Sequence, residues 1–196
     1  MVKIGVLALQ GAFIEHQHIF EALGAEVVQV RLPQHLDQID GLVIPGGEST
    51  TIGKLATAYD LIDPLRDFAR RAPTWGTCAG LIFLAKDIGR AHQPILGVMD
   101  VTVNRNAFGR QVDSFERALP FAGLGDDPFH AVFIRAPIVT RADADVQVLA
   151  QLDDQRIVAV RQGHLLGTAF HPELTDDRRV HQYFYDMVDK SVQDNS

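Results

Sequence analysis

The apolar run over residues 3–9, Lys3-Ile4-Gly5-Val6-Leu7-Ala8-Leu9, has the length and β-branched content of a buried strand, and Gln10-Gly11 predicts a turn at its end. After Gly11 the residues Phe13, Ile14, Ile19, Phe20 and Leu23 recur at helical spacing as far as Gly24, which predicts a helix closed by a glycine. Residues 26–31 and 41–45 predict two more strands, and residues 51–71 a helix in two pieces, with Pro64 in the first turn of the second. Residues 73–77 read as a strand running straight into an apolar helix over 79–85. Strands joined by helical crossovers predict an α/β fold, a parallel sheet with helices on both faces.

The pattern changes in the second half. Strands are predicted over 98–103, 131–136, 146–152, 156–162 and 165–170, with a tight hairpin at 153–155 and a turn at 162–164, so some strands there are antiparallel. A last helix over 176–188 gathers Val180, Tyr183, Phe184, Met187 and Val188 on one side. No repeat, low-complexity stretch or linker interrupts the chain, and residues 1–196 are expected to form one domain.

Composition narrows the class. Of 196 residues, 46% are hydrophobic and 22% charged, as in a globule with a full core, and the net charge of −7 argues against a generic binder of nucleic acid or anionic membrane. A single cysteine rules out an intrachain disulfide and points to a reducing compartment. No apolar run approaches the roughly 18 residues of a membrane span, so a cytoplasmic protein is expected.

That cysteine lies in Gly76-Thr77-Cys78-Ala79-Gly80, between a predicted strand and a predicted helix. The pattern is the thiol counterpart of a nucleophile elbow: glycines on both sides admit a strained turn that lifts the nucleophile above the sheet edge. The helix that follows favours thiolate through its dipole and free N–H groups, and the N–H of Ala79 points where an oxyanion would form. A thiolate needs a base and a group to orient it. His171 follows an apolar strand, and in an extended His171-Pro172-Glu173 the i and i+2 side chains share a side, so Glu173 can approach the imidazole.

The remaining histidines suggest no metal. His16 and His18, two apart on a helix, point to different faces, and His35, His92, His130, His164 and His181 stand without ligand-spaced partners; most are expected to be solvated. Pro45-Gly46-Gly47-Glu48-Ser49-Thr50-Thr51 ends a buried strand without the Gly-Lys-Ser/Thr of a phosphate loop, which favours donation to an oxyanion and to substrate through its backbone.

The Gly-Gly loop, the Gly-x-Cys-x-Gly elbow and the late His-Pro-Glu occur in an order that resembles the class I, or triad, glutamine amidotransferases. The wider text, including Leu9-Gln10-Gly11-Ala12, Phe133-Ile134-Arg135-Ala136-Pro137 and the segment over residues 106–116, is similar to the glutaminase subunits of pyridoxal 5′-phosphate synthases along nearly the whole chain. The resemblance implies a flavodoxin-like three-layer sandwich and hydrolysis of L-glutamine to L-glutamate and ammonia by Cys78, His171 and Glu173, without a cofactor. It implies substrate contacts from Gly47, Glu48, Ser49, Arg105, Ile134 and Arg135. Arg105 or Arg135 could pair with the substrate α-carboxylate, while Gly47 and Ala79 receive the oxyanion. The implied partner is the barrel subunit of the synthase, which joins ammonia to ribose 5-phosphate and glyceraldehyde 3-phosphate, with Gln10 at the expected docking face. A different acceptor synthase, a stand-alone thiol hydrolase and a non-catalytic regulatory subunit are the rival readings.

Overall fold

The computed structural model describes residues 1–89, 92–105 and 114–194; the expected motif over 106–116 therefore lies largely outside the described residues. The chain opens with β1 (Lys3–Leu7), α1 (Phe13–Ala22), β2 (Glu26–Val30) and β3 (Gly41–Ile44), then α2 (Ser49–Ala58) and α3 (Ile62–Arg71). It continues through β4 (Thr74–Thr77), α4 (Ala79–Leu84), β5 (Ala85–Asp87), β6 (Met99–Asn104), β7 (Ser114–Leu119) and β8 (Phe129–Ile134). The last elements are β9 (Ile138–Ala142), β10 (Gln147–Gln151), β11 (Ile157–Gln162), β12 (Leu165–Thr168) and α5 (Arg179–Asp194).

Ten strands form one sheet in the order β2-β1-β3-β4-β12-β11-β9-β6-β5, with β10 beside β11, and β7 and β8 pair as a separate antiparallel hairpin. The half from β2 to β12 is wholly parallel, and pairing turns antiparallel at β11, as the hairpin-rich second half predicts. The sheet carries helices on both faces, in agreement with the flavodoxin-like expectation, and β4 displays the two layers by alternation. Trp75 meets Phe20 of α1 and Phe184 of α5 at ring distances of 6.5 and 5.6 Å. Gly76, pointing the other way, lies against α4. Each aromatic pair adds about 0.5–1.5 kcal/mol beyond burial of area. The indole N–H of Trp75 donates to Thr168 Oγ1 at 3.1 Å, so no polar atom of that ring is left buried without a partner.

Several elements differ from the sequence pattern for local reasons. α2 begins at Ser49 because the Glu48 carboxylate accepts from the N–H groups of Thr50 and Thr51, capping the helix two residues before the predicted start. α4 ends at Leu84, and Ala85 opens β5 instead of closing the helix. α5 starts at Arg179, where Asp177 accepts its N–H at 3.0 Å, and runs on to Asp194. β7 and β9 were not legible: β7 buries one residue of six, and β9 is five residues long with Thr140 and Arg141 exposed. Among the described residues no helix is long and apolar enough to cross a membrane.

Candidate active site

The carboxyl ends of β1, β3, β4 and β12 stand side by side, and the chemistry-bearing residues leave the sheet there, where open α/β sheets place their ligands. β4 ends at Thr77, and Cys78 turns into α4 with φ 48° and ψ −102°. Such a backbone costs about 1–3 kcal/mol at a residue with a side chain and persists only where its surroundings hold it. The Cys78 N–H donates to Thr168 O at 2.8 Å. A Cβ at Gly76 would lie 2.5 Å from the Gly80 carbonyl, and one at Gly80 would collide with the Ile44 carbonyl oxygen. Both glycines of the motif are thus required by close packing around the elbow.

His171 is pinned by its own N–H, which donates to Val132 O at 2.8 Å, and the chain then coils through a single 3-10 turn, Pro172–Leu174. The predicted contact with Glu173 is present, at 2.7 Å from His171 Nδ1 to Glu173 Oε1, but the coil brings it about and the expected extended i, i+2 geometry does not. An ionised carboxylate only accepts, so Nδ1 carries the proton and Nε2 is free to serve Cys78. Burial disfavours the imidazolium, yet hydrogen bonds to Cys78 and Glu173 and the charges behind them outweigh it and push His171 up to about 10. Burial also opposes ionisation of Glu173, but the facing imidazoles of His16 and His171 hold its carboxyl below the usual range.

A cavity of about 420 Å³ opens above Cys78. Among the described residues its wall holds Cys78, Ala79, His171, Gly47, Glu48, Ser49, Arg105, Ile134, Arg135 and Gln10, the whole predicted site except Glu173, which stands behind His171. Ile82, four residues after Cys78 on α4, also lines the cavity; helical spacing from the nucleophile was the signal that could have found it.

The two arginines differ in their engagements. Arg105 reaches Gln93 Oε1 at 2.5 Å, Thr50 Oγ1 at 3.4 Å and Glu48 Oε1 at 3.6 Å. Arg135, at φ 43° just past β8, is exposed on the rim and makes no ion pair with a described residue. Glu48 is held down to about 2, first by its hydrogen bond from the Thr51 hydroxyl and also by the N–H groups of Thr50 and Thr51, so it is a fixed negative charge at the mouth. Gln10 Oε1 accepts the Glu48 N–H at 2.7 Å and so ties the end of β1 to the Gly-Gly loop.

Most of the remaining histidines were expected to be solvated, but two of them are fully buried. His16 on α1 and His181 on α5 meet beneath the site, with Nδ1 of the first 2.9 Å from Nε2 of the second. Among the described residues no group of three or more His, Cys, Asp or Glu side chains is arranged to hold a metal ion.

A thiol at a strained elbow, backed by a histidine and a buried glutamate at the ends of a parallel sheet, defines the class: a triad amidotransferase of the α/β type. The chain belongs to the SNO glutamine amidotransferase family, whose sequence profile matches residues 6–190. It is 60% identical to the pyridoxal 5′-phosphate synthase subunit PdxT of Herpetosiphon aurantiacus over 93% of this chain and 98% of that one. It is 58% identical to the PdxT subunit of a Roseiflexus species over 95% of this chain and all of the relative. A crystal structure of a glutamine amidotransferase superposes with a TM-score of 0.89 at 50% identity, covering 95% of this chain and 98% of that one. The structure of PurLQS from Thermotoga maritima, 18% identical with a TM-score of 0.64 over 99% of this chain and 98% of that one, shares the fold.

Proposed function

We propose that the chain is the glutaminase subunit of a pyridoxal 5′-phosphate synthase, acting as one domain that hydrolyses L-glutamine and passes ammonia to a synthase subunit. The observation that carries the reading is the 2.7 Å His171–Glu173 pair behind a cysteine that opens into the cavity. Cys78, its thiol proton passed to His171 Nε2, attacks the side-chain amide carbon of glutamine as thiolate, and the oxygen, now negative, is received by the N–H groups of Gly47 and Ala79. His171 gives its proton to the amide nitrogen, the C–N bond breaks, and ammonia leaves a γ-glutamyl thioester. His171, now neutral, takes a proton from water, whose oxygen attacks the thioester; the C–S bond breaks and glutamate departs. Glu173 holds the imidazole in one tautomer throughout. Arg135, at the rim without an ion pair to any described residue, suits the substrate α-carboxylate, while Glu48 suits its ammonium.

Free ammonia is protonated in water and ceases to be a nucleophile, so the product needs a protected route. A synthase subunit docked over the cavity supplies it, and Gln10, tied to Glu48, links that face to the Gly-Gly loop. The test is a glutaminase assay of the chain alone, with the candidate synthase, and with Cys78→Ala. Turnover that is low alone, rises with the synthase and vanishes in the variant is expected; full turnover by Cys78→Ala overturns the triad, and equal rates with and without synthase overturn the coupling.

A further inference from the structure

The triad mechanism uses one oxygen of Glu173. The other, Oε2, is buried and has no hydrogen-bond partner among the described residues. A fully buried carboxylate oxygen left without a donor is costly, and its position must be explained. The group facing it is His16 Nε2, at 3.4 Å, with both side chains wholly inaccessible. Thr77 Oγ1 lies 3.5 Å from the same nitrogen.

The proton arrangement in this cluster follows from counting donors. If His16 carried its proton on Nδ1, its Nε2 lone pair would face the carboxylate, and His181 would bear its proton on Nδ1. That atom is buried without a partner among the described residues. The opposite arrangement removes the first fault and leaves His181 Nδ1 a bare acceptor in place of a stranded N–H: His181 Nε2–H donates to His16 Nδ1 across 2.9 Å, and His16 Nε2–H faces Glu173. A charged acceptor outcompetes the Thr77 hydroxyl for that proton. At 3.4 Å the contact is longer than a formed hydrogen bond, a condition common at active sites before substrate tightens them.

We propose that His16 is a positioning residue of the triad, presenting its Nε2–H to the free carboxylate oxygen of Glu173 in a tautomer set by His181. The buried chain then runs Cys78, His171, Glu173, His16, His181, from the cavity to α5. It rests on the glutaminase reading above for its kinetic consequence. Every packed element contributes to the environment of His16. The 3-10 turn brings Glu173 and His171, α5 brings His181 with Arg178 behind it, and α1 itself carries Glu15. From β4 come Thr77 and the edge of the Trp75 ring, 5.5 Å away and uncharged. Burial keeps His16 and His181 below their ordinary range, against the pull of Glu173 on His16, so these two act as neutral imidazoles.

His16→Phe keeps the ring volume and loses the donor, whereas His16→Gln keeps an N–H near the Nε2 position. In the assembled complex His16→Phe is expected to lower kcat about tenfold, the lower end of what loss of an outer-shell partner costs, with KM for glutamine within about twofold. The acid limb of its pH–rate profile moves to higher pH, because a buried Glu173 that has lost a donor protonates more easily. His16→Gln restores both kcat and the limb. A wild-type kcat and acid limb in His16→Phe overturns the proposal, as does equal impairment of the Phe and Gln variants, which would mark a packing role. Should His16→Phe fail to fold, His181→Gln against His181→Leu carries the same comparison. A wild-type complex inert toward glutamine would sink the glutaminase reading instead. The pH dependence of Cys78 alkylation by iodoacetamide then decides the relay without glutamine: it is displaced in His16→Phe and normal in His16→Gln if the relay holds, and identical profiles overturn it.

Discussion

The imidazole of His171 lies over the bare backbone of Gly46: a Cβ there would sit 2.5 Å from Cε1 and 3.0 Å from Nδ1 of the ring, and 3.3 Å from Cys78 Cβ. His171 packs this close to Cys78 only because residue 46 has no side chain. Gly46→Ala is therefore expected to displace a side chain and cost activity, at least about tenfold in kcat, while leaving most of the stability. Gly80→Ala presses on the immobile Ile44 carbonyl and should cost stability first, by about 1–3 kcal/mol in the manner of overpacking. Paired assays and thermal unfolding of the two variants check the contrast; an active Gly46→Ala refutes it.

Stability should carry the signature of His171. Its folded-state pKa, about 10, exceeds its ordinary 6.5, so its protonated form stabilises the fold. That contribution is fully present below about pH 6.5 and is lost as pH rises through about 10. The unfolding free-energy difference between wild type and His171→Asn is expected to shrink steadily across that window. Denaturant titrations at several pH values measure it, and a difference that grows with pH contradicts the ion-pair reading.

Glu48 follows the opposite sign. Its carboxyl is depressed to about 2, so the capping of α2 is present above about pH 4.5 and fades as pH falls through about 2. Glu48→Gln keeps one acceptor oxygen and loses the charge. It should raise KM for glutamine at neutral pH if Glu48 faces the substrate ammonium; an unchanged KM removes that contact.

The arginines are separable by kinetics. Arg135→Ala is expected to raise KM about tenfold or more, since a charge-assisted hydrogen bond contributes about 1.5–3 kcal/mol. Arg105→Ala should act less on KM and more on the loop it holds through Thr50, Gln93 and Glu48. Equal KM effects would mean that both bind substrate.

Gln10→Ala removes the acceptor of the Glu48 N–H. The expected result is a smaller stimulation by the synthase with little change in the low rate of the chain alone. Undiminished stimulation would show that Gln10 does not transmit docking.

Most of the active site was legible because its parts are local. A glycine-flanked cysteine between strand and helix, a Gly-Gly loop at a strand end and a histidine two residues before a glutamate each carry their geometry in a few neighbouring residues. The parallel half was legible for the same reason, since each of its buried strands is a continuous apolar run.

What the sequence by itself determined was therefore the class of fold and the candidates for nucleophile, base and orienter, all set by backbone sterics and short-range spacing. Tertiary structure alone decided the rest. It turned Glu173 toward His171 through a 3-10 coil, and it engaged Arg105 while pairing Arg135 with none of the described residues. It also buried His16 against Glu173 and His181, residues 157 and more positions away along the chain by their numbers. A histidine on an amphipathic helix reads the same whether water or a carboxylate lies opposite. Which of them does is a property of the packed faces of α1, α5 and the 3-10 turn, where desolvation fixes both the charge state and the partner.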